Sequence, residues 1–189
     1  MKLIQIRGCN GSGKTTMMKQ FVEKHNLEIK EIQVNKIPTF ISVSKDMQII
    51  VLGRYDKKTG GCDLYKNKEH VYQTIYQVIR VYKPRLLLFE GLIYGLTYKF
   101  GKVLADEVNR FGYDYKGVCL FIEPTEAIAR IYVRNGGKDI NAQYIYNKTK
   151  AFLNSYNKMK DSHYNMTLYD TSKIEKDKMI DILEKAINE

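Results

Sequence analysis

GCNGSGKTT, residues 8–16, fits the pattern G-x-x-x-x-G-K-[ST] at every fixed position. The chemistry accounts for each residue type. Glycines let backbone N–H groups turn inward around an anionic phosphate, and a helix beginning directly afterwards aims its positive end at the same point. Lys14 neutralises the outer phosphates, and Thr15 offers a hydroxyl to Mg²⁺. Gly8, Asn10, Gly11, Ser12, Gly13, Lys14, Thr15 and Thr16 are therefore the candidate nucleotide-binding residues. The flanking sequence is the one such a loop needs. The apolar run KLIQIR (2–7) reads as a strand, and KTTMMKQFVEKHN places Met17, Met18, Phe21 and Val22 at helical spacing.

Beyond this β-loop-α unit, apolar runs alternate with helix-period segments, the pattern of a three-layer α/β domain with a mostly parallel sheet flanked by helices. EIQV (31–34), FISV (40–43) and QIIVLG (48–53) read as short strands, the last two as a hairpin across Lys45-Asp46. RLLLFEG, GVCLFIE (117–123) and MTLYD supply further strands. Helices are predicted over about 67–82, 98–111, 124–133, 140–160 and 174–187, and the sheet is expected to be five-stranded, within one domain, 1–189.

Composition excludes several classes. Cys9, Cys62 and Cys119 form no CxxC pair and stand at no metal-ligand spacing to a histidine, so free thiols are expected. The opening MKLIQI is too short and too quickly charged for a secretory signal, and no apolar stretch reaches the roughly 18 residues of a membrane span. A soluble, cytoplasmic protein is the expectation, in a host cytoplasm if viral. Lys+Arg 31 against Asp+Glu 21 gives +10, a surplus that attracts polyanions. The 15 tyrosines mostly recur at helical spacing, which reads as half-buried core edges more readily than as base-stacking platforms.

With its strand and helix context, the loop resembles those of the P-loop NTPase superfamily. That resemblance implies that a strand ending in an acid lies beside the first strand with the acid facing Mg²⁺; RLLLFEG supplies Glu90, so Thr15 and Glu90 become the candidate metal residues. No N-K-x-D motif for a GTPase is present, since NKIP, NKTK and NKMK all lack the aspartate, and the chain is short for a motor ATPase. The small-kinase branch remains, and it implies lid arginines over the transferring phosphate. IEPTEAIARIYVRNGGKDI resembles such a segment, with Arg130 and Arg134 four apart beside a Gly-Gly joint and a lid at about 130–142. The arginine that adenylate-kinase-like proteins carry after the acid-glycine step is missing, because Leu92, Ile93 and Tyr94 follow Glu90-Gly91. This departure argues against a simple nucleoside monophosphate acceptor.

GRYDKKTGGCD (53–63) lies where small kinases build an acceptor site, in a segment taken as about 36–66. Arg54 and Tyr55 are its candidate substrate contacts. Asp63 is the candidate general base, chosen over Asp56 because Gly60-Gly61 allows the backbone to fold it into the cleft; Asp56 and Glu90 stay as alternatives. Lys14, Asp63, Glu90, Arg130 and Arg134 make up the catalytic set. Cradle, GRYD…GGCD loop, EG step and basic charge together resemble the bacteriophage-type kinases that phosphorylate 5-hydroxymethyluracil within DNA. That likeness implies ATP and Mg²⁺ as cofactors and DNA as substrate. A kinase of a free nucleotide, nucleoside or other metabolite is the second reading, and a nucleotide-switched binding protein the third.

Overall fold

The computed structural model describes residues 1–57 and 60–189, with Ile93 by its backbone alone. Lys58 and Thr59, within the segment read as the acceptor side, lie outside the described residues. Along the chain run β1 (Lys2–Gly8), α1 (Lys14–Lys24), β2 (Glu28–Val34), β3 (Ile37–Val43), β4 (Ile49–Leu52) and α2 (Lys68–Tyr82). Next come β5 (Leu86–Glu90), α3 (Leu92–Leu96), α4 (Tyr98–Arg110), β6 (Asp114–Phe121), α5 (Pro124–Arg134), α6 (Ala142–Asp161), β7 (Met166–Asp170) and α7 (Met179–Asn188).

These strands form one sheet in the order β2-β3-β4-β5-β1-β6-β7. Across β4-β5-β1-β6-β7 every pairing is parallel, but the sheet has more strands than the five expected. It has seven. β2 and β3 extend it as an antiparallel hairpin, and β3 pairs antiparallel with β4.

Strand alternation divides the core in two. Leu3, Leu87, Phe89 and Cys119 face α2, α4 and α6, where they meet Ile75, Val78, Leu104, Val108, Phe152 and Met159. Ile4, Ile6, Leu88, Val118 and Leu120 face the other way, onto Met17, Met18 and Phe21 of α1 and Ile182 and Leu183 of α7. β1 is thus buried on both faces and paired on both edges, and its C-terminal end carries the glycine loop. Polar side chains lie within this core as well, Gln5, Arg7 and Ser155 among them. Arg7, fully buried, donates from Nη2 to Ser155 Oγ of α6 at 2.6 Å and from Nη1 to Gln5 Oε1 at 3.3 Å.

Candidate active site

The register of β1 with β5 sets Ile6 opposite Glu90, so the acid ends its strand alongside the start of the loop. Gly13 enters α1 with φ +92, a left-handed conformation that favours glycine. No side chain caps α1. Its first N–H groups point into the loop with the positive end of the helix behind them, the arrangement that receives a phosphate.

Inside the loop the Cys9 carbonyl accepts from Ser12 Oγ at 2.9 Å and from Lys14 Nζ at 3.0 Å. Lys14 is buried, its ammonium held at the cradle's centre. Thr15 Oγ1 donates to Glu90 Oε1 at 3.0 Å. Glu90 Oε2 is buried and has no hydrogen-bond partner among the described residues. Burial raises the Glu90 carboxyl from its ordinary 4.5 to about 7; the Lys14 charge and the Thr15 hydroxyl pull it down, and neighbouring Asp63 pushes it up. A half-satisfied carboxylate beside a threonine hydroxyl suits a hard cation that takes its remaining oxygens from phosphates and water. Among the described residues no group of three or more His, Cys, Asp or Glu side chains could hold a metal unaided.

Residues 61–64 form a 3-10 turn against the end of β5. Gly61, at φ +71, brings its backbone so near Glu90 that a Cβ there would stand 2.6 Å from Glu90 Oε1. The turn presents Asp63, whose Oδ1 accepts from the Leu92 amide at the start of α3 at 3.0 Å. Asp63 and Glu90, 27 residues apart in sequence, therefore adjoin in the fold. Asp56 is engaged by Arg54 instead. Its oxygens accept from Arg54 Nε at 2.8 Å and Nη2 at 2.5 Å, which hold its carboxyl at about 2, too acidic for a good proton acceptor near neutrality. The Arg54 guanidinium also lies over the Phe40 ring, 4.8 Å from its centroid. Tyr55 is buried, and burial pushes its phenol well above its ordinary value.

The two arginines expected on a lid are treated differently by the fold. Arg134, at the end of α5, is exposed beside Asn135-Gly136-Gly137. Arg130 is tied down: Nε donates to Glu126 at 2.9 Å, and Nη2 to the carbonyls of Thr171 and Ser172 at 3.0 and 3.1 Å. Arg130→Ala is therefore expected to lower the melting temperature by several degrees, the loss of a few charge-assisted bonds, whereas Arg134→Ala leaves it unchanged. Thermal melts of the two variants check this.

Sequence reasoning missed two supports of the loop. Thr171, fully buried after β7, donates to the carbonyls of Phe121 and Ser12 at 2.8 and 3.2 Å, linking the loop to the far strands. Cys9, Ala127, Ile131 and Ile145 form a small core that seats α5 and α6 on the loop. An amphipathic pattern in both helices was the available signal, but it does not say which surface they cover.

The 5-hmdU DNA kinase family model matches residues 1–174. A 5-hmdU DNA kinase of Pseudomonas phage M6 is 28% identical, the match covering 90% of this chain and 95% of that protein. Another, of Pseudomonas phage PaMx11, is 30% identical over 58% of this chain, and the match spans about half of that relative, 53%. Among solved structures, the PezAT chromosomal toxin-antitoxin system of Streptococcus pneumoniae is similar in fold, with TM-score 0.50 at 13% identity over 99% of this chain and 86% of that one. Deoxyadenosine kinase from M. mycoides with bound dCTP aligns over 98% of both chains, TM-score 0.49 at 17% identity. With a match reaching from the glycine loop past β7, the chain belongs to the 5-hmdU DNA kinase family.

Proposed function

We propose that this chain transfers the γ-phosphate of ATP to the hydroxymethyl oxygen of 5-hydroxymethyluracil in DNA. The observation that carries the reading is the meeting of Asp63 with the Lys14–Thr15–Glu90 cluster, which puts a carboxylate for the acceptor beside a cradle for the donor. Family membership supplies the acceptor's identity, and the +10 charge suits a polyanion.

The loop amides and Lys14 hold the triphosphate and fix its terminal phosphorus at the mouth of the cradle. Mg²⁺, held by Thr15 and Glu90, would supply charge neutralisation at the phosphates. The Leu92 amide fixes one Asp63 oxygen and leaves the other to accept the proton of the hydroxymethyl group. As the hydroxymethyl oxygen forms its bond to phosphorus, the bond to the bridging oxygen of ADP breaks and ADP departs with the electron pair. Arg134 closes over the equatorial oxygens from the 130–142 segment, so Arg134→Ala lowers kcat more than it raises the KM for ATP.

Asp63→Asn is expected to cut transfer about 10²- to 10⁴-fold, the usual share of a general base, with ATP affinity within about two-fold of wild type. The deciding assay offers γ-labelled ATP with free nucleosides, free nucleotides, plain DNA and DNA containing 5-hydroxymethyluracil. Label confined to the hydroxymethylated DNA supports the reading. Faster labelling of a free nucleotide overturns it.

A further inference from the structure

Of the 15 tyrosines, twelve are buried or half-buried, as helical spacing predicted. The three exposed ones fall together: Tyr132 at 46%, Tyr144 at 43% and Tyr146 at 45% exposure, at the end of α5 and the start of α6. This is the pair of helices seated on the glycine loop. Ile131 and Ile145 press inward on Cys9, and Thr149 Oγ1 donates to Cys9 Sγ at 3.5 Å. Tyr144 and Tyr146 flank the buried Ile145, each turned about 100° from it by the helical repeat. They therefore emerge on the two sides of α6.

Each ring has a cation one turn further along. Lys148 Nζ lies 5.1 Å from the Tyr144 centroid, and Lys150 stands four residues after Tyr146. From 132 to 150 the chain carries Arg134, Lys138, Lys148 and Lys150 against the single carboxylate of Asp139. Solvent-facing aromatic rings set among cations match an unpaired nucleic-acid strand, whose bases offer flat faces and whose phosphates offer charge.

We propose that Tyr144 and Tyr146 are stacking platforms for unpaired bases beside the target nucleotide, with Lys138, Lys148 and Lys150 on the phosphates. The inference rests on DNA being the acceptor. A base attached to a strand reaches a phosphate cradle only by leaving its stack, which strips its neighbours of stacking partners too. The two rings replace those partners. Because α6 is seated on Cys9, the bound strand is registered against the donor loop.

The test measures anisotropy of a labelled single-stranded oligonucleotide lacking 5-hydroxymethyluracil, so that strand binding is read apart from transfer. Tyr144→Ala and Tyr146→Ala are each expected to weaken binding about ten-fold, while Tyr→Phe at either position stays within about two-fold because the ring remains. Lys148→Gln and Lys150→Gln each lower the log-log salt slope by about 0.7. Melting temperatures should not move, since both tyrosines are exposed. Alanine variants that bind like wild type, an equal loss on fully paired duplex, or no binding by the wild type would each overturn the proposal. Ring-dependent binding without labelling of hydroxymethylated DNA removes the acceptor reading and leaves the platforms. Labelling of that DNA, undiminished in both alanine variants, removes the platforms alone.

Discussion

Lys14→Ala is expected to slow phosphate transfer about a hundred-fold or more, the usual cost of removing a preorganised charge from a developing anion. The fold should survive, because the Cys9 carbonyl keeps its bond from Ser12 and the substitution touches only a loop and a helix start. A second effect follows from electrostatics. Lys14 is the largest influence lowering the Glu90 carboxyl, so without it Glu90 stays protonated to a higher pH than about 7. Residual activity of the variant should thus rise with pH through a more alkaline limb than that of wild type. Rate-versus-pH profiles with γ-labelled ATP measure both effects, and undiminished turnover would remove Lys14 from the site.

Glu90→Gln is expected to act in opposite directions on activity and stability. Glutamine keeps the shape and can still accept the Thr15 hydroxyl bond, but it brings no charge to a cation. Transfer should fall steeply and its Mg²⁺ dependence should shift to higher concentration. The stability change has a definite sign. Glu90 titrates near 7 in the fold against an ordinary 4.5, so between those values the folded state holds a proton that the unfolded chain releases, and stability drops as pH rises. Glutamine escapes that loss. In metal-free protein the variant should gain under about 1 kcal/mol over wild type near pH 5 and about 3 kcal/mol near pH 8, since each pKa unit is worth about 1.4 kcal/mol. Urea melts at the two pH values test this. A gain that does not grow with pH would mean that Glu90 is ionised without cost and is no buried acid.

What could be read from the sequence was what is local. The glycine loop, its strand and helix, the buried runs of β5 and β6 and the amphipathic faces of α2, α4 and α6 each announce themselves within a dozen residues. Strands at 31–34 and 40–43 are legible too, but their pairing as the β2–β3 hairpin is not. Its turn is Asn35-Lys36, with φ +49 and +65, so two residues other than glycine take the left-handed conformations of a tight hairpin, and the usual Asn-Gly signal is absent. The first four residues of β2 are exposed and show no apolar alternation either. At the site, Lys14 and Thr15 were legible from one motif. The contact of Asp63 with Leu92 joins segments 29 residues apart through a backbone amide, and no periodicity records it. In the sequence only its nearness to the Gly-Gly joint favours Arg134 over Arg130; what ties Arg130 down, the carbonyls of Thr171 and Ser172, is brought over by β7 and leaves no local signal.

β1 is hydrogen-bonded to β5 from Lys2 to Ile6 and to β6 from Lys2 to Gly8, whereas residues 132–139 are exposed without interruption. Amide hydrogens in these two stretches should therefore exchange with solvent on very different clocks. Those of the central strand are released only when the whole domain opens, and those of the 132–139 segment by local fluctuation. The glycine loop hangs from the slowest part of the molecule, and the fastest part follows directly on α5, the helix packed against that loop. Under the proposed function, donor alignment costs no ordering at each turnover, and adaptation to a long, irregular polymer falls to a segment that can rearrange without loosening the strand beneath it.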